Sequence, residues 1–263
     1  MDLRGEVAVV TGASSGLGRR FALDMAAAGA TVVAVARRRD LLEELEPLLR
    51  AASATSQAKV GDVTGHSGVR AVLGEVEEAH GPIGVLVNAA GIGEPRQGQA
   101  TVPELTSVRE VMETNYFGAV HSTLSVLPGM LERRRGVVVN VSSDNGRAPG
   151  PGEVAYGASK AALSAFTESM AMRVHGSGVR LHVLYPGWVP TDMGLGAVED
   201  GMPMPPRMVR RTEEQVSKLL LARMGGSAID IDAARLARLA PVARALVPRL
   251  YRNGLLRASS SRR

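Results

Sequence analysis

Lysine and tyrosine are scarce in this chain of 263 residues: lysine stands only at 59, 160 and 218, tyrosine only at 116, 156, 185 and 251. One of each nevertheless lies four residues apart, at Tyr156 and Lys160. On a helix that spacing puts both side chains on one face. A free phenol titrates at about 10, too high for acid–base work near neutrality. An ammonium beside it favours the phenolate and brings the value down. The matching chemistry is proton transfer to or from an alcohol or carbonyl oxygen. Ser143, just beyond the apolar run Val137–Val141, can donate a hydrogen bond to that oxygen, and Asn115 is a further polar group able to converge on the pair. A Tyr-x-x-x-Lys pair alone is common on amphipathic helices. This one gains its weight from a nucleotide-type loop earlier in the chain.

That loop is Thr11-Gly12-Ala13-Ser14-Ser15-Gly16-Leu17-Gly18, between the first strand and the first helix. Gly12 permits a tight turn, Gly16 lets the backbone approach a pyrophosphate, and Gly18 lets helix and strand pack closely. The helix then presents free N–H groups and a positive dipole end to the anion. The spacing is not the standard G-x-G-x-x-G. The end of the second strand selects between cofactors. An acid there would hold the ribose 2′-hydroxyl of NAD(H), but Ala36 runs into Arg37-Arg38-Arg39. Guanidinium groups suit a 2′-phosphate. A helix start normally prefers acids, so three arginines ask for another reason. NADP(H) is favoured over NAD(H).

These residues need a scaffold. The apolar runs predict strands near 6–11, 31–36, 57–60, 83–88, 137–142 and 179–185. Amphipathic stretches predict helices near 16–28, 40–51, 67–79, 106–133, 153–176 and 212–223. Continuously apolar runs such as Val32-Val33-Ala34-Val35 suit parallel strands buried on both faces. The alternation predicts an α/β, doubly wound Rossmann fold: a central parallel sheet with helices on both faces. Ligands bind beyond the carboxyl ends of such strands, where Ser143 falls.

Composition narrows the partners. Hydrophobic residues are 45% and charged residues 22%, and no apolar run approaches a spanning helix. With no cysteine, disulfides, thiolate metal sites and cysteine nucleophiles are excluded. The formal charge of +5 is unevenly spread: residues 233–263 hold eight arginines and no acid, so the first 232 carry a net −3. A nucleic-acid-binding surface on the body is disfavoured. One catalytic domain over 1–232 is expected, with an arginine-rich amphipathic extension over 233–263. In the extension Leu236, Leu239, Leu246, Val247 and Leu250 share a face, and Pro241 and Pro248 should kink or divide it. That face is expected to pack on the body or on a second subunit in preference to lying on an anionic membrane surface. The stretch 193–211, with Met193, Met202, Met204, Met208 and three prolines, reads as an irregular insertion, a pliable lid over an apolar substrate. Trp188 is a candidate wall of that pocket. The N-terminus leads directly into Val7-Ala8-Val9-Val10, so the cytoplasm is the expected compartment.

Taken in order, Thr11-Gly12…Gly16-Leu17-Gly18, Asp62-Val63, Asn88-Ala89-Ala90-Gly91, Asn115, Ser142-Ser143, Tyr156-Gly157-Ala158-Ser159-Lys160 and Pro186-Gly187-Trp188-Val189-Pro190-Thr191 resemble the classical short-chain dehydrogenase/reductase family over roughly residues 5–192. The resemblance implies that Tyr156 is the acid/base and that Lys160 lowers its pKa and binds the nicotinamide ribose. It implies that Ser143, thirteen residues before Tyr156, orients the substrate oxygen in preference to Ser142, and that Asn115 supports a water-linked proton relay to Lys160. It further implies Gly12, Ser14, Ser15, Gly16, Leu17 and Gly18 around the phosphates, Arg37 and Arg38 for an NADP-type cofactor, and Asp62 and Val63 at the adenine. Asn88, Ala89, Ala90 and Gly91 would line the cofactor and steady the sheet, and Pro186, Gly187, Val189 and Thr191 would flank the nicotinamide. Two departures stand out. Ala89 replaces the usual second asparagine, and the glycine-rich ending typical of family tetramers is missing, so a homodimer is expected.

The implied reaction is NADP(H)-dependent interconversion of a secondary alcohol and a ketone on a small apolar molecule. The competing class is a catalytically silent nucleotide-sensing protein on the same fold, which the presence of both Tyr156 and Lys160 argues against. His66, His80, His121, His175 and His182 lack metal-ligand spacing, so no metal site is expected.

Overall fold

The computed structural model describes residues 1–94, 102–150, 152–200, 202, 204–234 and 238–260. Seven strands, β1 (Val7–Thr11), β2 (Thr31–Ala36), β3 (Gln57–Val60), β4 (Ile83–Asn88), β5 (Gly136–Val141), β6 (Val179–Tyr185) and β7 (Asp230–Asp232), form one sheet in the order β3-β2-β1-β4-β5-β6-β7. Every pairing is parallel. Alternate valines of each strand enter separate cores, as the pleat requires. Ala8, Val10, Val32, Ala34, Val85 and Val87 meet α1 (Gly16–Ala27), α2 (Arg39–Ala52) and a later helix over Glu213–Arg223. Val7, Val9, Val33, Val35, Leu86 and Val138 meet α3 (His66–His80) and the helix over Gly118–Glu132. This is the expected doubly wound sheet, with the order reversing between β1 and β4, where such sheets bind ligands.

The later helices are α4 (Leu105–Met112), α5 (Gly118–Glu132), α6 (Asp144–Arg147), α7 (Val154–Arg173), α8 (Asp192–Glu199), α9 (Glu213–Arg223), α10 (Leu239–Leu246) and α11 (Pro248–Ser260). Four findings depart from the sequence reading. The helix expected over 106–133 is two helices joined by a π-turn, Glu113–Phe117, which inserts an extra residue at Asn115. The insertion expected to be irregular opens with α8, because the Thr191 hydroxyl accepts a hydrogen bond from Gly194 N and caps it; Pro203 lies outside the described residues. A seventh strand, β7, and the short helix α6 were not foreseen. In the extension, Pro248 begins α11, whereas Pro241 sits within the first turn of α10 without breaking it. Its leucines do not pack on the body: Leu239, Leu246 and Leu250 are 59%, 76% and 70% exposed. Arg235 and Leu236 lie outside the described residues.

Candidate active site

The glycine loop is shaped by contact with the strand beside it. Gly12 has φ +68°, and a Cβ there would stand 2.5 Å from Ala90 Cα, so only glycine fits between loop and β4 exit. A Cβ on Gly18 would stand 2.3 Å from the Gly12 carbonyl oxygen, which lets α1 start directly beneath the loop. The first turn of α1 carries no acid, and Ser15 at its N-cap makes no side-chain capping bond. Its N–H groups therefore face the cleft as an anion cradle. Leu17 packs against the core below, and Gly16 approaches the methyl of Thr191.

Arg37, Arg38 and Arg39 are all exposed at the exit of β2. Arg38 folds across the loop: its guanidinium donates to Ser14 Oγ at 2.8 Å and to Ser15 Oγ at 2.6 Å. Next to it a cleft is lined by Thr11, Val35, Gly61, Asp62, Val63 and Ser122. Asp62 Oδ1 accepts from Thr64 N and Oγ1, both at 3.0 Å, leaving Oδ2 at the rim. The glycine cradle and the arginines supply N–H and guanidinium groups of the kind that hold the phosphates of a dinucleotide.

Asn88 is committed to the interior. Its amide nitrogen donates to Asn140 Oδ1 at 2.8 Å and Thr123 Oγ1 at 3.1 Å, and Asn140 in turn donates to Thr167 Oγ1 at 2.8 Å. This buried relay ties β4, β5, α5 and α7 together. Ala89 and Ala90 are half-buried against the two cores, and Gly91 follows at the cleft. A Cβ on Gly91 would stand 3.3 Å from Asn115 Oδ1 and 3.4 Å from Lys160 Nζ.

Above Gly91, Asn115, Ser143, Tyr156 and Lys160 come together from three segments, the last two from α7. Lys160 is 5% exposed; its ammonium donates to Val141 O at 2.9 Å and lies 5.7 Å from the centre of the Tyr156 ring. Burial pulls its pKa down to about 8, so it keeps its proton at pH 7. The Ser143 hydroxyl accepts from Asn145 N at 3.2 Å and is near enough to the Tyr156 phenol to draw its pKa down. The titration of Tyr156 runs opposite to the sequence expectation. Burial first, then the negative charges of Glu153 and Asp144, push the phenol up to about 12, and Ser143 alone pulls it down. Tyr156 is therefore a protonated donor at neutral pH.

Asn115 sits in the π-turn, fully buried. Its Oδ1 accepts from Ile92 N at 2.8 Å, and its Nδ2 donates to Ile92 O at 3.0 Å and Ser159 Oγ at 3.1 Å. It clamps the segment that follows Gly91 to the helix carrying Tyr156 and Lys160. Pro186 and Val189 are buried, while Gly187 has φ +73° beneath Val209 O. Trp188 is half-buried; its backbone pairs with the 209–211 segment, and it carries an unpartnered indole N–H. Met193 reaches Gly93, 3.8 Å from the place of its missing Cβ, and so spans the mouth.

Sequence reasoning missed several residues. Ser142 bonds Lys160 O at 3.0 Å and Ser164 Oγ at 2.8 Å, seating α7 on β5. Glu94 Oε2 accepts from Ala155 N at 2.8 Å at the start of α7. Arg147, at the end of α6, lies 3.2 Å over the Tyr185 ring and pairs with Asp230 and Asp232 of β7. Arg238 pairs with Asp232 from the other side. Burial raises Asp144, beside Ser143, to about 6. No local pattern signals Arg147, because its partners lie more than eighty residues downstream.

The sequence profile described as short chain dehydrogenase matches residues 6–200. Dehydrogenase/reductase SDR family member 7B of Bos taurus is 34% identical, the match covering 95% of this chain and 80% of that protein. The chain spans 61 to 65% of the length of other curated relatives that it matches. Among solved structures, a phenylalanine-to-tryptophan variant of actinorhodin polyketide ketoreductase with NADPH aligns at TM-score 0.80 and 27% identity, over 88% of this chain and 97% of that one. A short-chain dehydrogenase/reductase from Burkholderia phymatum in complex with NAD aligns at 0.82 and 26%, over 96% and 97%.

Proposed function

The chain belongs to the short-chain dehydrogenase family, and from that premise we propose that it is an NADP(H)-dependent oxidoreductase interconverting a secondary alcohol and a ketone on a small apolar molecule. The observation that carries the reading is the buried Lys160 ammonium 5.7 Å from the Tyr156 ring, with Ser143 near enough to the phenol to lower its pKa, at the carboxyl ends of the strands. A nicotinamide cofactor supplies or takes the hydride when bound. The Ser143 hydroxyl donates to the substrate carbonyl oxygen and orients it. Tyr156, held protonated, gives that oxygen its proton as negative charge develops there. Lys160 stays charged at neutral pH and favours a phenolate left behind. Asn115 keeps the Gly91 segment and α7 in register.

On this reading the loop Gly12–Gly18 takes the pyrophosphate, Asp62 and Val63 the adenine, and Pro186, Gly187, Val189 and Thr191 the nicotinamide side, with Ala89 to Gly91 along the middle through backbone. Arg37 and Arg38 take the 2′-phosphate; the guanidinium of Arg38, already over Ser14 and Ser15, supports NADP(H) over NAD(H). The catalytic unit is residues 1–232 and the extension 233–263. Met193, Leu195, Met204 and Met208 are exposed on the lid, which supports an apolar substrate. A polyketide ketoreductase among the structural neighbours supports a ketone as the oxidised form. The protein works in the cytoplasm as a homodimer, to be checked by fractionation and sedimentation.

The test is oxidation of NADPH and of NADH across a panel of apolar ketones. NADPH turnover on some members is expected, and Arg38→Asp should raise the KM for NADPH about tenfold or more, with little change for NADH. NADPH binding without turnover on any member would move the reading to a nucleotide sensor.

A further inference from the structure

The C-terminal extension presents an apolar face that nothing among the described residues covers. Along α10, Leu239, Val242 and Leu246 fall at i, i+3 and i+7 and are 59%, 51% and 76% exposed. Val247 and Leu250, 46% and 70% exposed, carry the stripe across the corner into α11. The opposite side of the same helices is turned to the body. Arg238 pairs with Asp232, Arg244 donates to Arg147 O at 3.1 Å, and Ala240, Ala243 and Tyr251 are half-buried. The stripe is therefore held outward by anchors on its back. Arg249 and Arg252 flank it, exposed and without an ion pair among the described residues. The segment 233–263 carries eight arginines and no acid.

We propose that this face binds an anionic phospholipid surface, with the leucines in the acyl boundary and the arginines at the headgroups. The charge decides between occupants. A second copy meeting this face about a two-fold axis would set two acid-free arginine segments against each other. An anionic bilayer offers each arginine an opposite charge, and the exposed leucines and valines a place out of water. No helix among the described residues is long and apolar enough to cross a membrane, so the attachment is peripheral. The geometry also has a consequence for the site. Arg244 holds α10 to the end of α6, the short helix that starts right after Ser143, so docking acts on an element adjoining the catalytic serine.

The inference does not depend on turnover, and its test reads binding. The full chain is pelleted with phosphatidylcholine vesicles containing roughly 30% phosphatidylglycerol, and with pure phosphatidylcholine. Pelleting with the anionic vesicles alone, released by about 1 M salt, is expected. The double variant Leu246→Glu with Leu250→Glu should lower partitioning at least about tenfold, since each leucine buried contributes about that factor or more. The variant's thermal unfolding and NADPH binding should match the wild type, which separates lost docking from lost folding. A wild-type protein that stays in the supernatant with anionic vesicles overturns the proposal. So does a wild-type dimer that ignores vesicles and dissociates in the double variant, which would show a second copy on this face.

Discussion

Replacing Lys160 by methionine should stabilise the cofactor-free protein while ending its turnover. The ammonium is 5% exposed and has Val141 O, at 2.9 Å, as its hydrogen-bond acceptor. Burial brings its pKa from 10.5 down to about 8. Carrying the charged form inside at neutral pH therefore costs about 3 kcal/mol. Methionine keeps the length of the side chain without the charge. Removing the donor to Val141 O costs about 1 kcal/mol in return. The net gain of about 2 kcal/mol corresponds to a Tm rise of roughly 5 °C in a chain of this size. The pH dependence is specific. The folded value lies below the unfolded one, so the wild type gains stability from this group as pH rises between about 8 and 10.5, and loses all of it again as pH falls back to 8, with no further change below. The advantage of the variant should thus be full at pH 7 and shrink towards pH 10. Thermal unfolding followed by circular dichroism, without cofactor, reads both points. A variant that melts below the wild type at pH 7, or a difference that does not narrow by pH 10, would refute the burial argument.

Other substitutions separate positioning from chemistry. Gly12→Ala should abolish NADPH binding, because its Cβ would stand 2.5 Å from Ala90 backbone at a φ of +68°; fluorescence titration checks it. Ser143→Ala should reduce kcat by about two orders of magnitude with little change in melting. Ser142→Ala should retain turnover but lower stability by about 1 kcal/mol, since it removes the bonds to Lys160 O and Ser164 Oγ while Ser164 keeps its own bond to Lys160 O; the pair of variants compared by assay and denaturant titration tells the two serines apart. Arg147→Met strips the Asp232 carboxylate, 1% exposed, of one of its two guanidinium partners and uncovers Tyr185, so a loss of about 3 kcal/mol is expected, read as a lower denaturant midpoint.

Much of the scaffold was legible because burial writes a simple pattern. Valine runs with no polar face specify strands covered on both sides, and β1, β2, β4 and β5 fall within a residue of where those runs predict them. The glycine loop was legible because Gly12 and Gly18 answer to steric limits, which do not depend on distant sequence. What escaped depends on partners far along the chain. Asp230-Ile231-Asp232 is too short and too charged to stand out as a strand; it pairs with β6 through its backbone, and Arg147 and Arg238 neutralise Asp232. A π-turn changes the helical count by one residue at Asn115, below what a periodicity can register. The phenol of Tyr156 was expected to be drawn down by Lys160; desolvation and two carboxylates, one of them the unforeseen Asp144, outweigh it. The leucine face of the extension is visible in sequence, but which side meets the body was settled by Arg238 and Arg244, whose acceptors belong to other elements.

The account stands most directly on the Tyr156 hydroxyl. Tyr156→Phe keeps the ring over its neighbours and removes only the proton donor. With a ketone that the wild type reduces, kcat for NADPH oxidation is expected to fall by about three orders of magnitude or more, while NADPH titration gives an unchanged Kd. Turnover by the phenylalanine variant equal to that of the wild type would contradict the central claim that this hydroxyl delivers the proton.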